Sequence, residues 1–174
     1  MNNQKDNYTL EYYIEKSGEG TLSDKDVIAI GKLLATDNTL TQLHLGFNNK
    51  VTDVKSIGDA LKTNTTLEIL ILSHNGISNV NSIGDALKRN KTLKKLWLND
   101  NNITDSGIQS IIEALKTNNT LTTLDLTDNQ LSESVVEKLK EITLADGTSK
   151  PSTSPQQDPN MEDYFLLNKT DLRF

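Results

Sequence analysis

The amino-acid sequence predicts an α/β fold: a curved, right-handed solenoid with parallel strands on its concave face and helices on its convex face. Three observations predict it. One sequence pattern recurs four times. The hydrophobic period changes in the second half of each unit. The apolar content is lean for a single round core, with 34% hydrophobic against 24% charged residues. An elongated stack buries a thin core along its whole length, which suits such a composition.

Residues 1–20 are expected to form an N-terminal cap. Tyr8, Leu10, Tyr12, Tyr13 and Ile14 precede a turn at Gly18 and Gly20, and a solenoid must cover the exposed ends of its core. Leu22, Val27, Ile30, Leu33 and Leu34 then follow a helical spacing. A helix is therefore expected over 21–37, with Ser23 as its N-cap.

Four strands follow, in the segments that begin at Thr39, Thr66, Thr92 and Thr120. Each reads L-x-x-L-x-L-x-x-N. The leucines are Leu40/Leu43/Leu45, Leu67/Leu70/Leu72, Leu93/Leu96/Leu98 and Leu121/Leu124/Leu126, and the asparagines are Asn48, Asn75, Asn101 and Asn129. The first leucines are 27, 26 and 28 residues apart. No unit of this kind buries its apolar side alone, so stacking of leucine rows must make the core. The asparagines are read as buried groups that satisfy backbone atoms at the turn after each strand.

Between strands the period becomes helical. Val54, Ile57, Ala60 and Leu61 share one face, as do Val80, Ile83, Ala86 and Leu87, and then Ile108, Ile111, Ile112 and Leu115. Lys62, Lys88 and Lys116 stand where cations suit a helix C-terminus, and Thr104 and Ser132 where N-caps belong. The loop around Asn48, Asn49 and Lys50 carries one extra residue, and the third helical half is expected to be two residues longer than the first two. Val135, Val136, Leu139 and Ile142 make a last helix over 132–143 that closes the repeat domain of residues 21–144.

The composition then shifts. Residues 145–160 hold all three prolines of the chain and are expected to be a flexible linker. The tail 161–174 is short and apolar. It is expected to fold back onto the repeats, to serve as a motif that another protein reads, or to be an unstructured tail without a role.

The formal net charge is −6 and the sequence pI about 4.9. With no run of Lys and Arg, neither nucleic acid nor an anionic membrane is an expected partner. There are no cysteines, which excludes disulfides, thiolate metal sites and cysteine nucleophiles. No signal-like h-region opens the sequence, and no stretch approaches 18 apolar residues. A cytoplasmic protein is expected. Asn-x-Thr triplets at Asn64, Asn90 and Asn118 are read as chance.

The four L-x-x-L-x-L-x-x-N copies with helical second halves resemble leucine-rich repeats of the ribonuclease-inhibitor-like class, over residues 21–144. The resemblance implies a non-enzymatic solenoid, typical of eukaryotic cytosol or of bacterial proteins delivered into host cells. Units of 26–28 residues are slightly shorter than is usual in that class.

The residues between the leucines should face outward on the concave side, because alternate strand positions point oppositely. The candidate partner-binding set is Gln42, His44 and Phe47, then Ile69, Ile71 and His74, then Lys95, Trp97 and Asp100, then Thr123, Asp125 and Asp128. Gly46, Ser73, Asn99 and Thr127 share the face. Ile69, Ile71 and Trp97 would form an exposed apolar patch, the kind of surface that partners cover. Asp100, Asp125 and Asp128 would favour a basic rim on the partner. No catalytic, cofactor or metal constellation is expected: His44 and His74 fall in different columns.

The expected function is a protein-interaction module that binds a partner protein through its concave face. Two alternatives share that chemistry: a regulator of a signalling protein such as a small GTPase, and a bacterial effector acting in host cytosol.

Overall fold

The computed structural model describes residues 22–48, 50–144 and 172–173. The expected cap over 1–20, the linker 145–160, and residues 161–171 and 174 of the tail lie outside the described residues.

Helix and strand alternate. Helix α1 is Asp24–Leu34 and strand β1 is Gln42–His44; α2 is Lys55–Leu61 and β2 is Ile69–Ile71. Then come α3 at Asn81–Leu87, β3 at Lys95–Trp97, α4 at Gln109–Leu115, β4 at Thr123–Asp125 and α5 at Glu133–Leu144. The four strands expected from sequence lie side by side, all parallel, in the order β1-β2-β3-β4. A fifth strand, β5 at Leu172–Arg173, continues the sheet beyond β4.

The register explains the core. Leu43, Leu70, Leu96 and Leu124 are direct cross-strand neighbours. All four are fully buried with Leu45, Leu72 and Leu98 and the helix residues Ile57, Ile83 and Ile111. Rows of identical residues at about 4.8 Å spacing fill the gap between sheet and helices continuously.

The helices pack through a ladder that sequence reading did not find. Gly31 lies against Ser56 of α2, Gly58 against Ser82 of α3, and Gly84 against Ser110 of α4. A Cβ at these glycines would meet backbone atoms at 2.7, 2.5 and 2.3 Å respectively. Only a hydrogen fits there, so each glycine sets the helix spacing. Helix α4 has Ile112 at the equivalent place, and α5 makes far less contact with α4 than the earlier helices make with one another.

The expected asparagine ladder is present. Asn101 donates to the carbonyls of Leu72, Leu98 and Asn99, and its side-chain oxygen accepts the Ile77 N–H at 3.1 Å. Asn129 repeats this, taking the Ile103 N–H at 2.9 Å. Asn48 takes the Leu22 N–H at 3.1 Å. Asn75 donates equivalently, but its oxygen is buried without a partner. The repeat would assign that role to the Val51 N–H, which turns instead to the Asn48 carbonyl at 2.8 Å. The unit's extra residue lies in this loop.

A second ladder corrects the reading of the Asn-x-Thr triplets as chance. Asn64, Asn90 and Asn118 are buried at the helix-to-strand turns. Asn90 donates to the carbonyls of Leu61 and Asn64 in the preceding unit, and its oxygen accepts the N–H groups of Thr92 and Leu93. Asn64 and Asn118 do the same one unit earlier and later. Asp37 takes the corresponding place before β1, where its carboxylate accepts from Thr39 and Leu40.

Two local expectations are corrected. Thr104 does not cap α4. It anchors a preceding turn, accepting the Gly107 N–H, and the N-cap position is held by Ile108. The third unit's extra residues go into that turn, so α2, α3 and α4 are all seven residues long. Ser23 caps α1 in a box closed by Asp26, and Ser132 receives the Val135 N–H at the start of α5. Lys62, Lys88 and Lys116 are the C-cap residues of their helices.

Candidate partner-binding face

On the sheet face opposite the leucine columns, the in-between residues form four rows. The register places Gln42, Ile69, Lys95 and Thr123 in one row, and His44, Ile71, Trp97 and Asp125 in the next. The turns after the strands carry Gly46, Ser73, Asn99 and Thr127, then Phe47, His74, Asp100 and Asp128. Parallel register brings together every residue of the predicted set.

It does not expose them all. Ile71 is only 5% exposed and Trp97 7%, and Thr123 and Asp125 are buried as well. The expected exposed patch of Ile69, Ile71 and Trp97 is therefore corrected. Neighbouring strands stand about 4.8 Å apart, and concave curvature closes their outward side chains on one another. Trp97 sits between Ile71 and Asp125 in register. The Lys95 ammonium stands 6.0 Å from its ring centre. Trp97 and Thr123 are both engaged in further interactions. Burial also holds the His44 imidazole below its ordinary value of 6.5. Gln42 remains exposed, and Ile69 and Lys95 are half-buried.

The fourth row is different. Phe47, His74, Asp100 and Asp128 all have left-handed backbone, with φ between 53° and 60°. The ladder asparagine follows each of them directly, so the turn demands this conformation. Asp and His adopt it at modest cost, whereas a bulky Phe there is an outlier. Phe47 is nonetheless 46% exposed. Its ring stacks on His74 with centroids 4.3 Å apart and planes 16° from parallel.

The stack continues into a polar chain. His74 Nε2 lies 3.4 Å from an Asp100 carboxylate oxygen. That carboxylate accepts from Asn99 Nδ2 at 2.8 Å, and Asn99 Oδ1 accepts from the Ser73 hydroxyl at 2.6 Å. The row thus begins with an exposed aromatic ring and ends with the exposed carboxylate of Asp128. Sequence reading placed these residues on the face but ranked Trp97 above Phe47. The signal it passed over was the aromatic ring immediately before a ladder asparagine. Among the described residues, no group of three His, Asp or Glu could hold a metal ion, and no helix is long and apolar enough to cross a membrane.

A parallel sheet of L-x-L strands, helices behind it and an asparagine rung per turn define a leucine-rich-repeat protein, and the chain belongs to that family. Residues 36–54, 63–80, 89–111 and 117–134 match the family model Leucine Rich repeat. Among solved structures the chain is similar to leiomodin-1 actin-binding site 2, at 25% identity and a TM-score of 0.60, over 69% of this chain and 72% of that one. It also shares the fold of the tropomodulin C-terminal domain of Caenorhabditis elegans, at 10% identity and a TM-score of 0.57, over 76% and 90% of the two chains. No curated protein matches it at a significant level.

Proposed function

We propose that the protein is an interaction module that holds a partner protein along the rim formed by Phe47, His74, Asp100 and Asp128. The observation that carries this reading is the exposed Phe47 ring, kept in a strained backbone conformation where His or Asp serves in the other units. Strain of this kind marks functional positions when the surroundings enforce it. An aromatic anchor with two carboxylates beyond it suits a partner segment bearing an apolar side chain followed by basic ones. The exposed area of four short strands is small against a standard interface of about 800 Å² per partner, so the rim alone supports modest affinity.

The test is capture of partners from native cytosol by the wild-type chain and by a Phe47→Ala, Asp128→Lys variant. Partners retained by the first and lost by the second, with unchanged circular dichroism, support the rim. Equal retention would place the interface elsewhere.

One observation favours a more particular reading. The chain's similarity to leiomodin-1 actin-binding site 2 reaches 25% identity over 69% of its length, which makes actin the first partner to assay. Co-sedimentation with actin filaments and inhibition of monomer assembly would each reveal it, and the rim variant should lose both.

A further inference from the structure

We propose that the turn between α3 and β3 is a second docking site, built around Arg89 and Lys91, for a short acidic segment of a partner protein.

The repeat itself marks this turn. Four equivalent turns lead from helix to strand, with Asp37, Asn64, Asn90 and Asn118 at the same place in each. In three of them the flanking residues are Thr36 and Asn38, Thr63 and Thr65, and Thr117 and Asn119. In the turn before β3 they are Arg89 and Lys91. The two residues after the next leucine are Thr41 and Gln42, Glu68 and Ile69, and Thr122 and Thr123 elsewhere, but Lys94 and Lys95 here. Four cations thus occupy places that hold none in any other unit.

The fold does not require these charges. Thr36, Thr63 and Thr117 each donate their hydroxyl to a helix carbonyl, those of Leu33, Ala60 and Ala114. Arg89 stands at the same place and forgoes that bond. The α3 C-terminus already has a cation in Lys88, its C-cap residue, as the neighbouring helices have in Lys62 and Lys116. Those three lysines are each paired with an acid three residues earlier. Arg89 and Lys91 are exposed. Among the described residues, neither side chain has a hydrogen-bond or ion-pair partner.

The turn that carries them is rigid. Asn90, between the two, is buried and bonded to the Leu61 and Asn64 carbonyls and to the N–H groups of Thr92 and Leu93. Its backbone is therefore fixed before any partner arrives, which lowers the cost of binding. Lys94 is held by Glu68 at 2.6 Å, and the Lys95 ammonium stands over the Trp97 ring. Arg89 and Lys91 are the two cations left to a ligand. Arg89 is one of the chain's two arginines. Its planar fork can grip one carboxylate with two parallel hydrogen bonds, while the Lys91 ammonium attracts another as a point charge.

The surroundings select the ligand. Thr63 and Thr65 on one side and Thr117 and Asn119 on the other are exposed and uncharged, so the positive surface is one turn wide. The chain as a whole carries −6, which repels a long polyanion or an anionic membrane. One basic turn on an acidic protein suits a few carboxylates in succession, flanked by polar residues that meet the threonines and Asn119. The turn lies at the start of the strands, the opposite end from the Phe47 rim, and is independent of it.

The test titrates a dye-labelled oligoglutamate peptide into the full chain at low salt and reads fluorescence anisotropy. Arg89→Thr with Lys91→Thr installs residues of the kind the other turns carry. This variant should lose at least about tenfold in affinity, and Arg89→Lys alone about threefold, since the fork is gone. Lys25→Gln with Lys50→Gln removes the same charge elsewhere and should change affinity by less than about twofold. The threonine variant should melt no lower than the native chain, because a hydroxyl can again reach the Ala86 carbonyl. Absence of peptide binding by the native chain would overturn the proposal, as would equal affinity of the threonine variant. An equal loss in the Lys25 and Lys50 variant would reduce the effect to overall charge and also overturn it. A lower melting temperature of the threonine variant would make the cations structural, with the same result. Tighter binding of a single-stranded DNA oligonucleotide or of phosphatidylserine vesicles than of the peptide would assign the turn to phosphate chemistry and overturn the acidic-segment reading.

Discussion

Asn75 and Asn101 hold the same rung of the same ladder in successive units, yet only Asn101 has a donor for its side-chain oxygen. Ile77 N–H reaches Asn101 at 3.1 Å, while Val51 N–H is turned toward the Asn48 carbonyl and leaves Asn75 unserved. A buried acceptor without a partner costs about 1–3 kcal/mol. Asn101→Ala should therefore destabilise more than Asn75→Ala, by about 1 kcal/mol. Deleting Asn49, the extra residue of that loop, should raise stability by a similar amount. Denaturant unfolding of the three variants checks both statements, and equal losses at Asn75 and Asn101 would contradict them.

Gly84→Ala isolates the helix ladder. Alanine is the better helix former by about 1 kcal/mol. Its Cβ would meet the α4 backbone at 2.3 Å, and overpacking costs about 1–3 kcal/mol. The clash involves main chain and cannot relax by a rotamer change, so net destabilisation is expected. A rise in melting temperature would show that the helices can spread freely.

Asp24 and Asp37 carry the acid sensitivity of the first unit. Burial pushes each carboxyl up, but donated hydrogen bonds outweigh it and hold both below the ordinary 3.8. For Asp24 the donors are the Asp53 and Thr52 backbone and the Thr52 hydroxyl. For Asp37 they are Leu40 and Thr39. The unfolded chain thus binds protons more readily, and stability rises with pH. The contribution is full above the unfolded value and lost as pH falls through the folded one. Asp37→Asn should keep the fold at pH 7, since Asn64 does the same work, while flattening the acid limb of a melting-temperature profile. An unchanged limb would clear Asp37 of that role.

Phe47→Asn should part stability from binding. Left-handed backbone costs a non-Gly L-residue about 1–2 kcal/mol, and Asn tolerates it best. The lost stack on His74 gives back about 0.5–1.5 kcal/mol. The variant should be no less stable than wild type, yet capture less partner. Thermal melting and pull-down read the two effects; a clear drop in melting temperature would show that Phe47 is structural.

Trp97→Ala with Ile71→Ala would have been a clean probe of binding had both side chains been exposed. They are buried, so each large-to-small change should cost stability, with the tryptophan alone worth about 3–5 kcal/mol. A native-like melting curve for the double variant would mean that the face is more open than its geometry indicates.

Much of this architecture was legible in the sequence because repetition multiplies weak signals. Leu43, Leu70, Leu96 and Leu124 announce one column, and Asn48, Asn75, Asn101 and Asn129 one rung each. The candidate face followed from strand alternation. What escaped has physical causes. Alternation says which way Trp97 points but not how closely Ile71 and Asp125 crowd it. Asn64, Asn90 and Asn118 looked like chance triplets because composition supplies such triplets freely. Their equal distance ahead of each Thr-Leu was the overlooked clue. The Gly–Ser contacts depend on interhelical distance, which no single-chain period encodes. The pairing of Leu172 with Leu124 spans 48 residues and obeys no repeat.

The second asparagine ladder gives the stack a direction. Asn64, Asn90 and Asn118 each hand protons backward to the unit before and receive them from their own turn. Asp37 can only receive. A longer array made by duplicating units would therefore have to copy an interior unit bearing Asn64 or Asn90. Copied inward, the Asp37 unit would face the carbonyls of its predecessor with lone pairs against lone pairs, and the array would come apart at that joint.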